Sequence, residues 1–116
     1  MLKVSRSNFL EKFMAHFIPV CSLDELPQGS SKAIRINSEA IALFRLDDNS
    51  VFAVENFCPH IGAPLDNGIV EDCSITCLWH GWSFDLKTGA STNCPGVKIK
   101  TYAVKIEEEQ VWLELP

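Results

Sequence analysis

The chain places Cys58-Pro59-His60 and Cys77-Leu78-Trp79-His80 sixteen residues apart, so each half offers one thiolate and one imidazole. C-x-H and C-x-x-H spacings of this kind present metal ligands from short segments, and sulfur with nitrogen is a donor set for iron-sulfur or zinc chemistry. Only three histidines occur in the whole chain, and two of them stand in these halves, which argues against a chance arrangement. His16, the third, is expected to be structural or exposed. The remaining cysteines, Cys21, Cys73 and Cys94, have spacings that suggest no disulfide framework and are expected to act as small buried hydrophobes. Cys73 stands four residues before Cys77 and competes with it as a ligand; the C-x-x-H spacing to His80 favours Cys77.

The rest of the composition bounds what such a site can be mounted on. With 116 residues, 47% hydrophobic and 22% charged, the chain fits one domain over residues 1–116 with a core of its own. No repeat or low-complexity tract interrupts it. A net charge of −5 and a pI near 5.1 oppose a nucleic-acid partner, which would need clustered Lys and Arg. An acidic surface suits steering toward a basic partner or simple solubility. Neither an export signal nor an apolar run of the roughly 18 residues a membrane span needs is evident, so a cytoplasmic location and no membrane partner are expected.

The patterning is that of an all-β protein. Residues 1–14 form an N-terminal extension in which SRSNFLEKFM predicts a short helix with an apolar stripe at Phe9, Leu10, Phe13 and Met14. From His16 onward short runs alternate and break at turns: FIPV, the turn SLDELPQGS, then KAIRI and AIALFRL, with Asp47-Asp48-Asn49-Ser50 leading to the strand Val51-Phe52-Ala53-Val54. That strand ends just before Cys58, so the first Cys/His pair is expected on a loop. Gly68-Ile69-Val70 and Ser74-Ile75-Thr76 predict a hairpin that leads into Cys77 and a second loop. A strand over Trp82-Ser83-Phe84-Asp85 follows, and Lys98–Ile106 is expected to pair with Gln110–Leu115 around Glu107-Glu108-Glu109.

The segments CPHIGAPLDNG and CLWHGWSFDLKTG resemble the two signature halves of Rieske-type [2Fe-2S] ferredoxins, C-P-H-x-G-A-P-L and C-x-W-H-G-W-x-F-D; Cys58 through Gly89 carry the resemblance. The resemblance implies a Rieske fold, an antiparallel β-sandwich base with a smaller cluster-binding subdomain at about residues 57–96. It implies one [2Fe-2S] cluster, with Cys58 and Cys77 on the inner iron and His60 and His80 on the outer iron that takes the electron. A structural zinc site with Cys2His2 ligands is the other reading of the donor set, though zinc fingers usually pair like with like. Gly62 and Gly81, one or two residues from a ligand, are expected to let backbone approach the cluster or simply to turn the chain.

Two departures separate the chain from respiratory Rieske proteins. Ala63 and Trp79 stand where those proteins carry an inter-loop disulfide, and Trp82 and Phe84 stand where they carry hydroxyls that bond cluster sulfur. Fewer such bonds imply a potential near the low end of the roughly −150 to +300 mV Rieske range. Ile61, Ala63, Pro64 and Leu65 from the first half, with Trp79, Trp82 and Pro95, are expected to form an apolar collar, in which the two tryptophans shield the cluster. Pro95 matches a proline-bearing covering loop in relatives.

With no general base, nucleophile or open coordination position visible, the chain is expected to be no enzyme. It is expected to be a soluble electron carrier between an NAD(P)H-dependent flavoprotein reductase and a terminal ring-hydroxylating oxygenase. The small subunit of an assimilatory nitrite reductase, with that enzyme's large subunit as partner, is the nearest alternative. A zinc-stabilised interaction module is a third.

Overall fold

In a computed structural model, which describes residues 16–60, 62–79 and 81–115, strand β3 (Glu39–Arg45) explains the architecture. Four consecutive residues of β3, Ile41, Ala42, Leu43 and Phe44, are all buried. Side chains of a strand point alternately to opposite faces, so such a run needs a core on both sides. Ile41 and Leu43 point into one core with Leu26, Tyr102, Val111 and Leu113; Ala42 and Phe44 point into another with Val54, Leu65, Ile75 and Phe84. The neighbouring β4 (Val51–Glu55) splits in the same way, with Ala53 in the first core and Val54 in the second.

Three antiparallel sheets follow from this shared wall. The central one has the order β2-β3-β4-β8, with β2 at Ser31–Ile36 and β8 at Thr101–Tyr102. On one side β1 (His16–Ser22), β10 (Gln110–Leu115) and β9 (Val104–Glu107) form a sheet of order β1-β10-β9 that completes the sandwich base. On the other side lies the small sheet β5-β6-β7, from Ile69–Glu71, Ser74–Thr76 and Ser83–Asp85. Burial of each large aliphatic or aromatic side chain in either core is worth roughly 1.5–3 kcal/mol. A polar residue at Phe44 or Leu43 would therefore weaken one core and spare the other.

The all-β expectation holds for the described residues, apart from one short 3-10 turn at Leu23–Glu25 within the SLDELPQGS segment. The helix expected over 5–14 lies outside the described residues. Pro19 is accommodated because β1 is an edge strand, and the register slips between Pro19 and Cys21; proline inside a sheet is confined to such edges and bulges. The expected strand Lys98–Ile106 is instead two: β8 pairs with β4, and after Ala103 the chain changes sheet so that β9 pairs with β10. One continuous strand cannot serve both layers of a sandwich, and the crossing residue makes the corner.

The hairpin read over 69–76 is present with Ile69 opposite Thr76 and Glu71 opposite Ser74. Its turn, Asp72-Cys73, has both residues at positive φ (47° and 65°), the two-residue geometry that matches strand twist. Cys73 therefore lies at the far end of β6 from Cys77, on the order of 13 Å of extended chain away.

Candidate metal centre

Two loops of matching construction hang from the ends of β4 and β6. In the first, the Cys58 amide donates to the Ala63 carbonyl (2.7 Å) and the Gly62 amide donates back to the Cys58 carbonyl (2.7 Å). In the second, the Cys77 amide donates to the Trp82 carbonyl (2.8 Å) and the Gly81 amide to the Cys77 carbonyl (3.0 Å). Each cysteine thus closes a loop through bonds to the residues four and five positions on, and each loop has a glycine at the same step. Gly62 and Gly81 have φ of 79° and 71°, a region costly for residues with a Cβ. A Cβ on Gly81 would meet no protein atom within 4 Å, so the turn itself, and no crowding from the protein, demands glycine there.

Asparagine side chains brace both loops, a feature absent from the motif reading. Asn56 closes the base of the first: its Oδ1 accepts from the amides of Leu65 (2.5 Å) and Asp66 (2.9 Å), and its Nδ2 donates to Asp66 Oδ1 (2.9 Å). Asn93 reaches the second loop from a third segment, 91–97. Its Nδ2 donates to the Gly81 carbonyl (2.8 Å) and its Oδ1 accepts from the Ser83 amide (3.1 Å). The sequence signal for both was slight: an amide side chain beside a loop that must present its own backbone in a fixed shape.

The sulfurs and the nitrogen face different surroundings. Cys58 and Cys77 are fully buried in the same apolar core, beside Ala63, Leu65, Ile75 and Phe84. His60 is exposed at the loop end, where its ring meets the edge of Trp82 from the other loop, with centroids 4.7 Å apart and planes at 67°. That contact holds the two loops side by side. His80 lies outside the described residues, and among the described residues no three His, Cys, Asp or Glu side chains gather as a single-ion site.

The other cysteines are elsewhere. Cys21 is buried in the base core on the opposite side of the central sheet, and burial pushes its thiol pKa up, with Glu25 adding to the effect. Cys73 is half-buried on the hairpin turn, and burial raises its pKa too. A raised pKa disfavours the thiolate that binds metal. Cys94 is half-buried in segment 91–97, where its amide bonds the Ser91 hydroxyl.

The expected collar needs correction. Ala63 and Leu65 are buried and form part of the floor under the loops, because the hydrogen bonds of Asn56 and Cys58 turn them inward. Trp82 is half-buried against the core, as shielding requires, but Trp79 is 66% exposed. With Leu78 and Phe57 it gives this end of the molecule exposed apolar surface. Segments 57–64, 77–82 and 91–97 contain no Asp, Glu, Lys or Arg. His16 is exposed on β1.

The donor chemistry fits a [2Fe-2S] cluster. Two cysteine side chains, Cys58 and Cys77, lie in a dry core and an imidazole stands at the exposed end, an asymmetry suited to unlike irons.

Comparison with known proteins agrees. The family described as Rieske [2Fe-2S] domain matches residues 16–103. The ferredoxin component of the naphthalene 1,2-dioxygenase/salicylate 5-hydroxylase systems of a Ralstonia species is 35% identical over 101 residues, covering 86% of this chain and 96% of that protein. A Mycobacterium tuberculosis structure described as a candidate NADH-dependent nitrite reductase small subunit superposes with a TM-score of 0.81 at 27% identity, covering 89% and 97% of the two chains. A chain from the complex of reduced oxygenase and oxidized ferredoxin in carbazole 1,9a-dioxygenase gives a TM-score of 0.75 at 26% identity, covering 84% and 92%.

Proposed function

The chain belongs to the Rieske [2Fe-2S] domain family, whose cofactor is a [2Fe-2S] cluster, and we propose that it works as a one-electron carrier with Cys58, His60, Cys77 and His80 as the cluster ligands. The observation that carries this reading is the pair of matched loops, each closing on its cysteine and bridged at the exposed end by His60 and Trp82. When bound, the cluster supplies a reversible one-electron couple, with its histidine-ligated iron as the site of reduction.

The protein's own residues set the terms of transfer. The buried Cys58 and Cys77 backbones fix the inner side rigidly, so little rearrangement accompanies a change of charge. Exposed His60 brings the redox side to the surface, where a partner can approach closely. Trp79, Leu78 and Phe57 supply apolar area for a brief contact, and the uncharged loops impose no strong preference for a charged patch. The fewer hydroxyls near the loops, with Trp82 and Phe84 in place of donors, favour a potential in the lower part of the family's range.

The carrier would accept electrons from an NAD(P)H-dependent flavoprotein reductase and deliver them to a terminal ring-hydroxylating oxygenase. The similarity to a dioxygenase-system ferredoxin over nearly its full length supports this pairing. Anaerobic titration with NADH and a catalytic amount of such a reductase is the test. One electron per chain, followed by reoxidation on adding an oxygenase, is expected; a protein that takes up no electron would end the proposal.

A second reading, the small subunit of a nitrite reductase, is favoured by the fold match to such a subunit. Co-purification separates the two: a stable complex with a sirohaem-containing large subunit supports the subunit, and a free monomer turned over by a separate reductase supports the carrier.

A further inference from the structure

Asn93 holds the backbone on both sides of Trp82. Its Nδ2 donates to the carbonyl of residue 81 (2.8 Å) and its Oδ1 accepts from the amide of residue 83 (3.1 Å). Between those two points stands Trp82, whose ring packs on His60. Segment 91–97 is itself anchored to the same strand, since the Thr92 amide donates to the Ser83 carbonyl (2.9 Å), and Ser91 Oγ donates to Asn93 Oδ1 (3.3 Å) and accepts from the Cys94 amide (3.0 Å). The third segment is thus a splint against the second loop, anchored by its backbone at Ser83 and reaching Gly81 through the Asn93 side chain.

We propose that Asn93 is a positioning residue for the redox site: by clamping residues 81 and 83 it fixes the indole of Trp82 against His60, and so sets the orientation and dryness of that imidazole. The inference rests on the assignment of His60 as a cluster ligand. Its physical content lies in two links. A peptide pinned at both neighbours of Trp82 leaves the side chain a narrow range of positions, because the backbone torsions that would swing it are held. An imidazole packed edge-to-face has a fixed ring plane and loses water on the covered side. Outer partners of this kind orient metal-bound histidines and tune the metal.

The sign of the effect follows from charge. A cluster with two thiolates and two neutral imidazoles gains one negative charge on reduction, and water stabilises that charge better than an indole does. Loosening Trp82 therefore admits water, favours the reduced state and raises the potential.

The test compares N93A, W82L and the double variant, each loaded with cluster, by EPR and voltammetry. N93A is expected to broaden or shift the EPR g-values and raise the potential, W82L to do so more strongly, and N93A to add little in the W82L background, since it acts through the indole. If N93A has native g-values and potential while lowering only thermal stability, Asn93 is a structural brace and the proposal fails. Equal N93A shifts with and without Trp82 would also overturn it. Should N93A not take up cluster, N93S carries the same comparison, because it adds no charge and its side chain is too short to bridge residues 81 and 83. H60A distinguishes the underlying assignment: an unchanged EPR spectrum there would remove His60 from the ligand set, whatever Asn93 does.

Discussion

The ring of His60 meets the ring of Trp82 edge to face across 4.7 Å, though the two residues belong to different loops. Such a pair is worth about 0.5–1.5 kcal/mol beyond its area burial. Its larger consequence is geometric. The loops hang separately from β4 and β6, and this contact locks their exposed ends together above the buried cysteines.

Iron content distinguishes the proposed ligand cysteines from the others. Cys58→Ser and Cys77→Ser should lower iron and acid-labile sulfide from about two of each per chain to near none. Cys73→Ser and Cys94→Ser should retain both, because Cys73 sits at the far turn of the β5-β6 hairpin. Loss of iron on replacing Cys73 would reassign the inner ligands.

Replacement of either histidine with cysteine should lower the reduction potential and abolish the Rieske-type EPR signal. A third thiolate adds negative charge next to the iron that must accept an electron, and so opposes reduction. Voltammetry of His60→Cys and His80→Cys reads the shift directly; an unaltered potential in either would exclude that residue.

Asn56→Ala should cost roughly 2 kcal/mol of stability. It removes the acceptor for two loop amides, Leu65 and Asp66, together with the bond to the Asp66 carboxylate. The midpoint of urea unfolding should fall with an unchanged slope. A midpoint equal to that of the parent protein would show that water replaces these bonds at no cost.

Tyr102 is the only tyrosine of the chain, which makes its titration visible in the ultraviolet. Burial pushes its pKa well above the ordinary tyrosine value of about 10, and its hydrogen bond to Glu39 and the charges of Glu39 and Glu55 push it further. A raised folded pKa means that the contribution to stability is complete below that ordinary value and is lost as the pH rises through the folded one. Glu39 is the converse: the hydrogen bonds from Tyr102 and Lys100 depress its pKa, so its contribution holds above the ordinary glutamate range and is lost as the pH falls through the folded value. Glu39→Ala should bring the tyrosinate midpoint down toward 10. A parent midpoint already at that value would refute the coupling.

Electron transfer to an oxygenase should respond weakly to salt. The net charge is −5, yet segments 57–64, 77–82 and 91–97 bear no charged side chain, and exposed charges beyond a Debye length are screened. Stopped-flow rates are expected to change less than about tenfold between low and physiological ionic strength; electrostatically steered pairs change far more. A steep fall would point instead to steering by the acidic surface.

The candidate ligands stand out in the chain directly, because the chemistry proposed for them is carried by residue type and by spacings of two and three. The strands that deliver them were equally legible, since alternation and turn residues act within a few positions. Four matters needed the third dimension. The run Ile41–Phe44 has no alternation to show that it divides two cores, and only the packing of a sheet on each face separates them. The break at Ala103 depends on which sheet each half of that segment can reach. Leu65 and Trp79 are both apolar residues near a candidate ligand, yet one is floor and the other surface, because the Leu65 amide donates to Asn56 and turns that residue inward. Asn93 braces a loop ten or more residues away, and a side-chain hydrogen bond between distant segments leaves no periodic trace. Local chemistry is written in neighbouring residues; burial, and contacts that span the chain, exist only once the layers have closed on one another.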